Sequence, residues 1–104
     1  MLNENKGKQL LAQTDHTITV TMSGESVQDI TGKIFQGMRR QIFKEFDKPI
    51  IHLEAQEVYF EKVEKNTITE KFMLFFWPRE KVTYTITAKI VVRIKYLDYT
   101  EEVG

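Results

Sequence analysis

The stretch VTYTITAKIVVRIKYL, residues 82–97, constrains this chain more than any other. Its even positions from Val82 to Tyr96 are all apolar. Its odd positions include Thr83, Thr85, Thr87, Lys89, Arg93 and Lys95, with Val91 the exception. Successive side chains of a strand point to opposite faces, so this alternation specifies a strand with one buried face. At ~3.3 Å per residue, positions 82–96 span about 50 Å. Any fold must supply a cover for that length.

The segment best suited to cover it is helical. Ser23-Gly24-Glu25-Ser26 punctuates the chain, Ser26 suits an N-cap, and Asp29 places a negative charge in the first turn. Val27, Ile30, Ile34, Met38, Ile42 and Phe46 then recur at spacings of three and four, an apolar stripe that Phe35 and Phe43 widen. Asp47-Lys48-Pro49 ends it. Gly32 and Gly37 each cost about 1 kcal/mol against Ala inside a helix. Two readings stand: simple tolerance, or close approach of the helix to a backbone. A helix of about twenty residues spans roughly 30 Å, less than the strand it must cover. Sheet coiling, bulges and the N-terminal segment make up part of the difference, and a second subunit makes up the rest. The expectation is a homo-oligomer.

Two further strands flank the helix. In HTITVTM, Ile18, Val20 and Met22 alternate with Thr17, Thr19 and Thr21. PIIHLEAQEVYFEKVEKN is ambiguous, because Glu54, Glu57, Glu61 and Glu64 fall at helical spacing. Yet Ile51, Leu53 and Ala55 alternate, and Val58 and Phe60 alternate again after a one-residue slip at Gln56-Glu57, as at a β-bulge. The β-branched and aromatic content favours strand. The chain reads as α+β: an antiparallel sheet of three to four strands with one long helix packed across one face, in the order β-α-β-(β)-β. Residues 1–14 are expected to be a flexible or short docking segment, and 15–104 a single domain.

The run FMLFFW, residues 72–77, holds four of the twelve aromatic residues and is closed by Pro78-Arg79-Glu80. Four buried aromatics at ~150 Å² or more amount to at least about 600 Å², as much as the largest apolar patch of a typical monomer. Three readings are open for it: a segment inside its own fold, a subunit interface, and a docking surface for another protein or a membrane face. Phe72, Leu74, Phe75, Phe76, Trp77 and Arg79 are the candidate interaction residues, with Trp77 and Arg79 suited to an interfacial zone.

Composition narrows the function. The 104 residues carry 15 basic and 15 acidic side chains, without the excess of Lys and Arg that a nucleic-acid binder presents. Arg39-Arg40 reads as a solvated helix face. No cysteine is present, which excludes disulfides and thiol chemistry and fits a cytoplasmic protein. No run reaches the ~18–20 apolar residues of a membrane span, and the N-terminus lacks an apolar core of signal-peptide length. Catalytic constellations are scarce. His16 and His52 begin two strands, and would approach each other if those strands paired. Glu54 and Glu57 offer paired carboxylates for acid–base work but also read as the outer face of a strand. GESVQD lacks the glycine spacing and lysine of a phosphate loop. No cofactor is expected.

Two resemblances follow. The opening alternating strand, the Ser-initiated helix and the closing YTITAKIVVRI resemble dodecins in layout, over about residues 17–96. That likeness implies oligomerisation and a flavin stacked on tryptophan. The dodecin tryptophan lies in the strand after the helix, here IIHLEAQEVYF without one, and Trp77 lies in the inserted run. HTITV, the aromatic run ending WPREKVTY and the long alternating strand resemble, over most of the chain, an uncharacterised bacterial family, domain-of-unknown-function family 4312. That resemblance implies genes for small multi-pass membrane proteins nearby and a setting in sugar-acid or amino-acid catabolism, with no established catalytic residues. The expected function is a non-enzymatic oligomeric accessory or assembly protein with a membrane-protein partner. The alternatives are a dodecin-like flavin binder and, more weakly, a small acid–base enzyme.

Overall fold

A computed structural model describes residues 9–71 and 78–99, with side chains at 9–67 and 81–99. It contains β1 (Leu11–Gly24), α1 (Val27–Glu45), β2 (Ile50–Lys71) and β3 (Pro78–Leu97). The architecture is α+β in the order β-α-β-β. The strands form one antiparallel three-stranded sheet in the order β1-β3-β2. β1 begins at Leu11 and so takes in the last residues of the segment expected to be flexible or docking.

The most strongly patterned strand is the central one. Ile86, Ala88, Ile90, Val92 and Ile94 of β3 are all 0 % exposed, and full burial of an Ile or Val stabilises by roughly 1.5–3 kcal/mol. Ile18 and Val20 of β1 lie opposite Ile90 and Ala88. Ile30, Ile34, Met38 and Ile42 of α1 complete this core. The Ser26 side chain accepts a hydrogen bond from the Asp29 N–H at 3.0 Å, which satisfies one of the unpaired donors of the first turn. At the other end the Phe46 N–H donates to the Ile42 carbonyl at 2.9 Å, and Phe46 packs edge-on against His16 and Tyr96.

Two details of the helix differ from the sequence expectation, and a third was left open by it. Val27, its first residue, is exposed, because the buried contact starts one turn later at Ile30. Phe43 does not widen the buried stripe. It is exposed, with the Arg39 guanidinium 5.9 Å from its ring centre. The two glycines also separate. A Cβ on Gly32 would meet nothing within 4 Å, whereas one on Gly37 would stand 2.7 Å from Met22 Cε and 3.2 Å from Val20 Cγ1. Gly37 lets α1 settle onto the side chains of β1; Gly32 is merely tolerated.

The ambiguous segment is a strand, and the reason for the ambiguity is visible. β2 slips against β3 between Ile50 and His52, Ala55 and Glu57, and Phe60 and Lys62, leaving Ile51, Gln56 and Glu61 as extra residues. Five residues of β2 thus oppose four of β3 in each interval, from Ile50↔Tyr96 through Ala55↔Val92 to Phe60↔Ala88. The slips keep Ile50, Leu53, Ala55, Val58, Phe60 and Val63 opposite the even, core-facing residues of β3. A spacing of three, two, three, two falls between the strand and helix periods.

Candidate functional site

The helix sits over β1 and β3, and β2 receives little of its cover. Val58, Phe60 and Val63 lie in register with Ile90, Ala88 and Ile86, which are wholly buried, yet they are 40 %, 44 % and 54 % exposed. The three β2 side chains form an apolar file along the open margin of the core. β1 ends at Gly24, opposite Tyr84. Beyond that level, among the described residues, only β2 and β3 continue, paired from Lys65↔Tyr84 to Lys71↔Pro78. This two-stranded arm is about 20 Å long at ~3.3 Å per residue. An isolated hairpin is marginal in water. The molecule measures 80 × 27 × 21 Å with a radius of gyration of 21.6 Å, where a compact chain of this length has about 13 Å.

Of the expected interaction residues, Phe72, Leu74, Phe75, Phe76 and Trp77 lie outside the described residues. Arg79 is in β3, opposite Glu70, with its side chain outside the described set. Sequence reading did not single out the file at 58, 60 and 63 as an open surface. Its apolar residues were legible, but its exposure depends on where the helix lies.

The opposite face of the sheet is polar and cross-linked. Thr21 and Thr87 hydroxyls lie 3.1 Å apart, and those of Ser23 and Thr85 2.8 Å. The Arg93 guanidinium donates to both carboxylate oxygens of Asp15, at 3.0 and 3.4 Å. That hydrogen bond holds the Asp15 carboxyl below its usual range. Tyr59 donates to Glu57, which pushes the phenol up, and Lys89 Nζ stands 5.3 Å from the Tyr59 ring centre.

The two histidines are not brought together, whereas the two glutamates share a face. β3 separates β1 from β2, so His16, opposite Val92, and His52, opposite Lys95, lie on different faces with a strand between them. Glu54 lies opposite Arg93 and Glu57 opposite Val91, both on the polar face. A groove of about 810 Å³ runs beside Ser23–Ser26, Lys33 and Lys81. Its charges are paired within the surface, Lys33 with Asp29 and Lys81 with Glu25. Among the described residues no group of three His, Asp or Glu side chains is disposed to hold a metal. No helix among them is long and apolar enough to cross a membrane.

The family profile for the domain of unknown function DUF4312 matches residues 14–97, which takes in all of α1, β2 and β3 and most of β1. The chain belongs to the DUF4312 family. No curated protein and no solved structure matches it. The DUF4312 match thus extends over the helix-covered core, the bulged strand and the arm together.

Proposed function

We propose that this DUF4312 domain is a non-enzymatic accessory or assembly module that works by associating with copies of itself. Its proposed setting is the bacterial cytoplasm, beside a membrane transport system or in sugar-acid or amino-acid catabolism, with a membrane protein as further partner. The observation that supports the reading is the apolar file Val58, Phe60 and Val63, which continues the core but lacks cover from α1. Contiguous apolar surface of this kind is the usual mark of an interaction site. The formal net charge of zero adds no long-range repulsion between copies. Phe72, Leu74, Phe75, Phe76, Trp77 and Arg79 are proposed as further interaction residues on the ground of their apolar and aromatic sequence.

Size-exclusion chromatography with light scattering and an absorbance spectrum tests the proposal. The expected result is a defined oligomer, with Phe60→Ser plus Val63→Ser lowering its mass while far-UV circular dichroism stays unchanged. A wild-type monomer over the accessible concentration range counts against self-association. A chromophore travelling with the protein would instead favour the dodecin-like flavin-binding alternative.

A further inference from the structure

The two edges of the sheet are built differently. β2 is interrupted three times in its register with β3, and bulges are one of the devices by which proteins blunt an edge against pairing. β1 carries none of these devices. Its 14 residues pair with β3 without a slip, and LAQTDHTITVTMSG contains no Lys, Arg or Pro. Its only acid, Asp15, is held by Arg93 across the strand pair. Among the described residues no strand pairs with the outer edge of β1.

The hydrogen bonding fixes which residues point outward. The Asp98 N–H donates to the Leu10 carbonyl at 2.8 Å, and this pair continues the register Leu11↔Leu97 by one step. Residues of an antiparallel strand alternate between those bonded to a given neighbour and those turned away from it. Even residues of β1 therefore bond β3, and the N–H and C=O groups of Asp15, Thr17, Thr19 and Thr21 are aimed at the open edge, while at its end the outward Ser23 carbonyl accepts a hydrogen bond from Lys33 Nζ at 3.1 Å. The sequence at its centre, Thr17-Ile18-Thr19-Val20-Thr21, reads nearly the same in both directions. A groove of about 400 Å³ runs above this edge, where Arg40, Gln41, Lys44 and Glu45 of α1 offer both signs of charge.

We infer that the edge of β1 is the seam to a second copy, paired antiparallel about a two-fold axis at Thr19. The inference rests on the self-association proposed above and adds to it a second contact, on the sheet edge opposite the file at 58, 60 and 63. Thr19 then faces Thr19 of the second copy, Thr17 faces Thr21, and Ile18 faces Val20. Threonines meet threonines on the polar face, extending the Thr21–Thr87 ladder, and aliphatic residues meet on the helix face. The result is one continuous six-stranded sheet with both helices on the same side. An isologous contact needs this kind of self-complementarity.

A single cysteine tests the register, because the chain has none of its own. Residues facing each other in a hydrogen-bonded pair have Cα atoms about 5.5 Å apart, within disulfide reach. Residues at 17 in the two copies would stand about 13 Å apart at ~3.3 Å per residue. The full-length Thr19→Cys protein should oxidise to a covalent dimer several-fold faster and further than Thr17→Cys, read by intact mass under non-reducing conditions. Thr19→Pro, which removes an outward donor and leaves the bonds to β3 in place, should lower the solution mass with unchanged circular dichroism. If that variant fails to fold, the cysteine pair decides alone. Equal cross-linking of the two cysteine variants, or none with Thr19→Cys while the wild type is oligomeric, overturns the β1 seam and leaves self-association standing. A monomeric wild type overturns both.

Discussion

Gly32 and Gly37 lie on the same helix and impose opposite constraints. Nothing stands near Gly32, so replacing it with Ala gains helix propensity and narrows the unfolded ensemble without a clash. Gly32→Ala should raise stability by about 1 kcal/mol, seen as a melting temperature several degrees higher. Gly37→Ala should gain less, since Met22 must swing aside and Val20 must give. Gly37→Leu should lower the melting temperature below that of the wild type. Equal gains for both alanine variants would contradict the close approach of α1 to β1. Either role was open from sequence alone, because helix periodicity locates a glycine on a face but not the depth to which that face is pressed.

At the scale of elements, legibility followed periodicity. The even positions of β3 and the stripe of α1 were readable because one period ran unbroken through each of them. The Ser26 cap was readable because its chemistry is local. Only the middle slip of β2, at Gln56, showed in the sequence; those at Ile51 and Glu61 were hidden among apolar and glutamate residues that fit either a helix or a strand. The register makes a specific prediction here. Removing Gln56 leaves Ala55, Val58 and Phe60 on their present face, because Gln56 is the residue without a partner in β3. The Gln56-deletion protein should keep its circular dichroism and cooperative melting. Its edge, one bulge smoother, should aggregate more readily on heating. Loss of the folded state would mean that the bulge is required for packing rather than for protecting the edge.

For the whole molecule, the sheet order was the part not written in any local pattern. Placing β3 between β1 and β2 decides that the two histidines stay apart and that the file at 58, 60 and 63 is left beside the core. Among the described residues, the buried residues of the strands all lie between the level of Tyr84 and that of Tyr96 on β3. Replacing residues 67–82 with Asn-Gly, a tight-turn pair suited to joining the hydrogen-bonded pair Asn66 and Thr83, should therefore give a shorter chain that still melts cooperatively with the full helical signal. An unfolded product would show that the arm stabilises the core as well as extending it.

The five-to-four pairing of β2 with β3 works like a vernier. From residue 50 to 65 β2 advances 15 positions while β3 advances 12, from 96 to 84. Two strands of unequal length fixed along their common edge must curve, with the longer on the outer arc. Chain length in this hairpin can change in matched steps, five residues on one side and four on the other, with every side chain keeping its face. A single-residue insertion at a paired position of this region would turn part of the apolar file to the polar side. The reach of the hairpin is therefore adjustable in units, and a comparison of lengths within the family should find the two strands changing in that ratio.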